Sequence, residues 1–281
     1  MKYILINLKS WFGELLNKNN SFKFRLVRFL ARERIGKNLL KNIFGFKSIA
    51  QDDKNFKRLK LNGYIELPKI KSIQINKIIS EIELLKFYGR NDLKNPVSGK
   101  TLLKKISNSF KRKNDLKHPL YRKQNIMNDC PEIKKIAYNK KVFSLVKNYL
   151  GSEKIIIDSQ IWFTFNSGET EDEKHLFGWH YDIDDLGWLK LFIYLSDVDI
   201  SNGPHEFIKF SHNYSNLKKI IFRRIDSQKI FDLFGFKKNE IKTFLGPQGT
   251  NFLEDTFGYH RGLKPKKSRA ILQLTYRLGV V

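Results

Sequence analysis

The feature that most constrains the fold is a set of short apolar runs in the C-terminal half. "KIIIDSQIWFTFNSG" (154–168), "WLKLFIYLSD" (188–197), "HEFIKF" (205–210), "GTNFLED" (249–255) and "SRAILQLTYRL" (268–278) are rich in Ile, Phe, Leu and Tyr and separated by Gly, Asn and Asp. Such runs pack well on a pleated surface and read as strands. Ahead of them the period is helical. Ile75, Ile78, Ile79, Ile82 and Leu85 mark one helix. A second starts at Pro131, where the missing N–H costs nothing, and runs through Ile133, Ile136, Phe143 and Val146 to a stop at Gly151. Helices followed by many short strands predict an α+β fold with a mainly β core, a sandwich or barrel.

The chain has 281 residues, 41% hydrophobic and 14% aromatic, enough to build a packed core for one large domain or two modest ones. Its single cysteine, Cys130, excludes a disulfide framework and a Cys-rich zinc site, so a metal would rest on His and carboxylate. No apolar run approaches the roughly 20 residues that cross a bilayer. The opening "MKYILINLKSWFGEL" lacks a small-residue cleavage site, and a cytoplasmic location is expected.

A net charge of +25 raises the question of an anionic partner. Lysine outnumbers arginine 40 to 13 amid abundant Asn, Ile and Phe, the bias of an A/T-rich coding sequence. No basic stripe with interleaved aromatics is present, and no specific nucleic-acid partner is expected. Residues 1–50 form a basic helical extension with eleven Lys/Arg against Glu14 and Glu33. Ile4, Leu5, Leu8, Trp11, Phe12, Leu15 and Leu16 share one helical face there. That face suits either peripheral contact with an anionic membrane or packing on the main domain. Further on, Gly99-Lys100-Thr101 resembles part of a phosphate loop, but Lys94 stands where the motif's first glycine belongs and no strand is expected before it.

Chemistry concentrates in "GWHYDIDD" (178–185). A chain with six histidines and 28 acidic residues yields a His-x-Asp or His-x-Glu triplet by chance with near-even odds, so context must decide. On a strand, residues i and i+2 share a face, so His180 and Asp182 can offer two ligands together. The candidate third is His260 in "EDTFGYHRG". Two histidines and a carboxylate on one face of an octahedral ion form the facial triad of non-haem iron(II) oxygenases, with open positions opposite. Nine residues on, Arg269 opens the last strand run. Buried there, it would need an anion, and the remote carboxylate of a 2-oxo dicarboxylate fits its fork. His212 reads as structural, His175 and His205 as loop histidines, Asp184 and Asp185 as solvated acids, and Trp179 and Trp188 as packing residues.

Five segments in order resemble the phytanoyl-CoA dioxygenase-like iron(II)/2-oxoglutarate oxygenases over about residues 52–281. They are "FKRLKLNGYIELP", "PEIKKIAYNKKVFSLVKNYLG", "GWHYD", "LFIYLSDVDISNGPHEFIKFSH" and "GTNFLEDTFGYHRG". The resemblance implies a double-stranded β-helix (jelly-roll, cupin-like) flanked by helices, formed by residues 51–281. It implies iron(II) on His180, Asp182 and His260, and the C5 carboxylate of 2-oxoglutarate on Arg269. Phe192 lies where many members carry a Trp beside the cosubstrate, and Arg122 near where some carry a basic residue. With O2 as second cosubstrate, the implied reaction hydroxylates an unactivated C–H and releases succinate and CO2. Asp182 argues against the related halogenases, which lack that ligand. The implied substrate is a small molecule or an acyl or glycosyl conjugate. "FTFNSG" and "IKF" before Ser211-His212 depart from the family's Lys-Pro-Pro-like and Pro-Gly patterns. Two alternatives stand beside this reading. One is a non-catalytic jelly-roll binding protein using its basic face on membranes or polyanions, the other a jelly-roll enzyme using another divalent metal without 2-oxoglutarate.

Overall fold

Asp53 caps the first helix, α1 (Lys54–Asn62), by accepting from the Asn55 N–H at 2.7 Å, and Gly63 ends it at φ +85°. A Cβ at Gly63 would lie 2.5 Å from His212 Nδ1, so glycine serves both the turn and the close approach. The computed structural model describes residues 53–89, 92–107, 116–166, 177–214, 219, 222–226 and 228–279. The basic extension over residues 1–50, its membrane contact and His175 lie outside the described residues.

Strand β1 (Tyr64–Leu67) follows, then α2 (Ser72–Glu83), whose Ile75, Ile78 and Ile82 are buried at helical spacing. Next come β2 (Lys86–Gly89), β3 (Asp92–Ser98), α3 (Gly99–Ser107) and β4 (Leu120–Gln124). A strand thus does precede Gly99, contrary to expectation. It runs straight into α3 without the intervening glycine-rich loop that would cradle a phosphate. The single helix expected over 131–151 is two helices, α4 (Pro131–Ala137) and α5 (Lys140–Leu150). Asn139 restarts the chain, its side chain accepting from the N–H groups of Lys141 and Val142, and Gly151 closes it.

The remaining elements are β5 (Ile156–Phe165), β6 (Trp179–His180), β7 (Trp188–Tyr194), β8 (His205–Ile208), β9 (Arg224–Ile225), α6 (Lys229–Phe234), β10 (Ile241–Phe244), β11 (Asn251–Glu254), β12 (His260–Gly262) and β13 (Ser268–Arg277). Two antiparallel sheets result, in order β1-β11-β7-β13-β5-β4-β2-β3 and β10-β8-β12-β6-β9. The helical half is not free of strands, because β1 to β4 all join the larger sheet.

Alternation along the larger sheet divides its two faces. Leu189, Leu191, Ile193, Leu272, Leu274, Ile161 and Phe163 join one core with the helical Phe56, Leu59, Ile75 and Ile78. The other face carries Lys190, Phe192 and Tyr194 on β7, with Arg269 and Gln273 on β13. Pairing stacks these inner residues into cross-strand rows. One row is Glu254–Lys190–Thr275–Asp158, the next Phe252–Phe192–Gln273–Gln160–Gln124, and the next Tyr194–Ile271–Trp162–Arg122. Among the described residues, no helix is long and apolar enough to cross a membrane.

Candidate metal centre

His180 and His260 stand directly opposite each other on β6 and β12, with ring centroids 4.4 Å apart. Asp182 lies just past β6, where its N–H donates to the Thr256 carbonyl at 2.8 Å. One ligand atom from each of the three falls within 4.8 Å of the others. His260 Nε2 is 3.4 Å from Asp182 Oδ2.

Both imidazoles are oriented alike. His180 Nδ1 donates to the Gly178 carbonyl at 3.0 Å, and His260 Nδ1 to the Gly258 carbonyl at 3.0 Å. A carbonyl only accepts, so each Nδ1 carries a proton and each Nε2 faces the site; burial opposes the charge on His260, but Asp182 and Glu254 outweigh it and raise its pKa, so a metal at Nε2 would displace a proton. Burial, helped by His260, holds His180 well below its usual pKa, in the neutral form that ligates metal. Asp182 is also buried, which favours the neutral acid, but Lys190 and His260 outweigh this and hold it well below the usual carboxylate range.

Lys190 is the unexpected member. Its Nζ lies 2.7 Å from Asp182 Oδ2 and 2.7 Å from Asp184 Oδ2. Burial alone would deprotonate the amine, but the two carboxylates more than compensate and keep it an ammonium. Glu254 lies in the same row, fully buried and bonded to His205 Nε2 at 3.0 Å. Burial, with Asp182 and Asp255 adding to it, pushes Glu254 up to about 8. Burial and His260 hold His205 well below its usual value. Burial thus pushes both partners of this bond towards their neutral forms. His205 is thus no loop histidine. It is a buried strand residue stacked 5.5 Å from His260, and Phe192 packs on it at 4.6 Å.

Arg269 is buried on the inner face, and its Nε and Nη1 have no hydrogen-bond partner. Burial disfavours its charge, with only the Tyr194 hydroxyl opposing. A Cβ at Gly262 would fall 2.5 Å from Arg269 Nη2. The guanidinium thus lies against β12 two residues from His260, and glycine is what admits it. Arg122 lies 5.6 Å from the Trp162 ring, on the wall of a cavity of about 410 Å³ that it shares with Lys190 and Asp184.

One further expectation is corrected. Asp185 is not a solvated acid: it is fully buried and accepts from the N–H groups of Leu186 at 2.6 Å and Gly279 at 2.8 Å. Asp184 is an exposed loop acid as expected, and it also pairs with Lys190 at 2.7 Å. His212 bonds the Lys60 carbonyl at 3.0 Å and pins α1, and Trp179 and Trp188 are packed in the core beside the site.

No protein-family model and no curated protein matches the chain. Solved structures do. HygX from Streptomyces hygroscopicus, with nickel and 2-oxoglutarate bound, is 13% identical with a TM-score of 0.54, covering 81% of this chain and 87% of that one. The non-heme alpha ketoglutarate dependent epimerase SnoN from nogalamycin biosynthesis is 12% identical with a TM-score of 0.54, covering 79% and 81%. EctD from S. alaskensis, with 2-oxoglutarate and 5-hydroxyectoine, is 18% identical with a TM-score of 0.52, covering 82% and 76%. The chain has the double-stranded β-helix fold of these structures, with helices on the outer face of its larger sheet.

Proposed function

We propose that this protein is an iron(II)- and 2-oxoglutarate-dependent dioxygenase that hydroxylates an unactivated C–H bond of a small-molecule substrate. The observation that carries the reading is Arg269, a buried guanidinium with two unpartnered nitrogens held against Gly262, two residues along β12 from the metal-ligand candidate His260. Burying an unpaired charge is costly, and a ligand carboxylate would remove that cost. The triad fits the cation as Arg269 fits the anion.

In this reading His180 and His260 hold iron through Nε2 and Asp182 holds it through its carboxylate. Bound there, the ion would supply, with 2-oxoglutarate and O2, the oxidation that yields succinate and CO2. Arg269 grips the remote carboxylate of the cosubstrate with its fork, and Phe192 flanks it. Lys190 fixes the Asp182 rotamer. Arg122, on β4 with β5 between it and the strand of Arg269, we assign to the cavity instead of the cosubstrate. Presence of the carboxylate ligand favours hydroxylation over halogenation. The fold shared with HygX, whose structure was also solved with hygromycin B, supports a small-molecule substrate.

The test is succinate formation in air. Wild type with iron(II) and 2-oxoglutarate should release succinate, slowly alone and faster with substrate, and His180→Ala should release none. No succinate above the metal-free background across a substrate panel would sink the reading.

A further inference from the structure

On three adjacent strands, β4, β5 and β13, Gln124, Gln160 and Gln273 stand side by side in register on the inner face. They line the cavity that also reaches Lys190. Its volume, about 410 Å³, is in the range of small-ligand pockets, but its wall is not of the usual kind. Every residue lining it is polar or charged. Neither Gln124 nor Gln160 has a hydrogen-bond partner for its side-chain amide among the described residues. Gln273 is bonded only to Thr275, Nε2 donating at 3.2 Å.

From this wall we infer that the substrate is a polyhydroxylated, carbohydrate-like molecule and not an acyl chain; the inference rests on the proposed oxygenase reading. A primary amide donates two hydrogen bonds and accepts two, which matches hydroxyl groups that both donate and accept. An alkyl chain laid on the same wall would strip water from these amides without replacing the bonds. Charge narrows the class. Lys190 is shared between Asp182 and Asp184, each at 2.7 Å, and Arg277 is paired with Asp158 at 2.6 Å. Arg122 meets only the Trp162 face, with no carboxylate beside it among the described residues. The wall thus carries one uncompensated cation, suited to a neutral sugar or to one bearing a single acidic group. Lys190 lines the cavity and bonds Asp182 at 2.7 Å, so one side chain links the glutamine row to the metal-ligand candidate.

The experiment adds methyl glucoside, glucosamine, glucuronate and UDP-glucose to the anaerobic protein with iron(II) and 2-oxoglutarate. Octanoate and octanoyl-CoA serve as acyl-chain counterparts. Binding is read twice, by perturbation of the visible band of the iron chelate and by saturation-transfer NMR from protein to probe. At least one sugar should bind by both readouts and raise succinate release about tenfold in air. The double variant Gln160→Leu/Gln273→Leu should weaken that sugar at least tenfold while the chelate band still forms. Silence of all four sugars, stimulation by octanoate or octanoyl-CoA alone, or sugar binding unchanged in the double variant overturns the inference. A missing chelate band in wild type defeats the oxygenase reading instead, and saturation transfer still reports whether the wall takes a sugar.

Discussion

The Lys190 ammonium is bonded to Asp182, the one carboxylate of the triad, at 2.7 Å. A cation therefore already pairs with this candidate ligand before metal arrives. Lys190→Met should leave that carboxylate with His260 alone beside it and destabilise the metal-free protein by about 2 kcal/mol. It also removes a competing positive charge, so added cobalt(II) should raise the melting temperature by more in the variant than in wild type. Thermal unfolding with and without metal checks both; an equal gain in the two proteins would contradict the pairing.

Arg269 gives a prediction of opposite sign. Its charge is buried, and two of its nitrogens lack partners, so Arg269→Met should leave the metal-free protein as stable as wild type or more so. The same variant should lose the stabilisation that 2-oxoglutarate gives wild type, while still gaining from metal alone. Differential scanning fluorimetry with each ligand separates the two effects. A variant that still responds fully to 2-oxoglutarate would remove Arg269 from the cosubstrate site.

Glu254 makes stability depend on pH in the metal-free protein. Its carboxyl is raised from 4.5 to about 8, so the folded state keeps a proton that the unfolded state gives up. That contribution is fully present below about pH 4.5 and is lost as pH rises through about 8. Relative to Glu254→Gln, wild type should become progressively less stable across that window and level off above it. Urea melts of both proteins from pH 5 to 9 measure the difference, and a flat difference would show that Glu254 is ionised in the fold.

Cys130 is buried, and burial, reinforced by Glu81, pushes its thiol up to about 12. It should resist a disulfide reagent at pH 8 in the native protein and react at once in denaturant. Fast labelling of the native protein would show that the α4 region opens readily.

The longest strands and the two clearest helices are legible in the sequence because each buries a continuous apolar stripe. Tyr138 and Asn139 divide what reads as one helix because Ile136 and Phe143 keep a roughly helical spacing across the break, and a capping asparagine is easily taken for a surface residue. Strands of two to four residues such as β6 and β12 carry too few side chains for a period to show, although they hold both candidate histidine ligands. The triad is recognisable only because His180 and Asp182 are neighbours in sequence. The rest of the site was signalled more quietly. Lys190 in "WLKLFIY" and Gln273 in "AILQLTY" are polar residues inside otherwise apolar strands, which marks the inner face of a sheet facing a site. His205 and Asp185 read as loop residues because their partners, Glu254 and Gly279, lie 49 and 94 positions away.

The most direct measurement is an anaerobic titration of the protein with iron(II) and 2-oxoglutarate, followed in the visible region. A weak charge-transfer band should appear only when both are present, saturate at one iron per chain, and vanish in Asp182→Ala and in His260→Ala. A protein that stays colourless with both ligands present, or an equal band in those variants, would contradict a metal centre built from His180, Asp182 and His260.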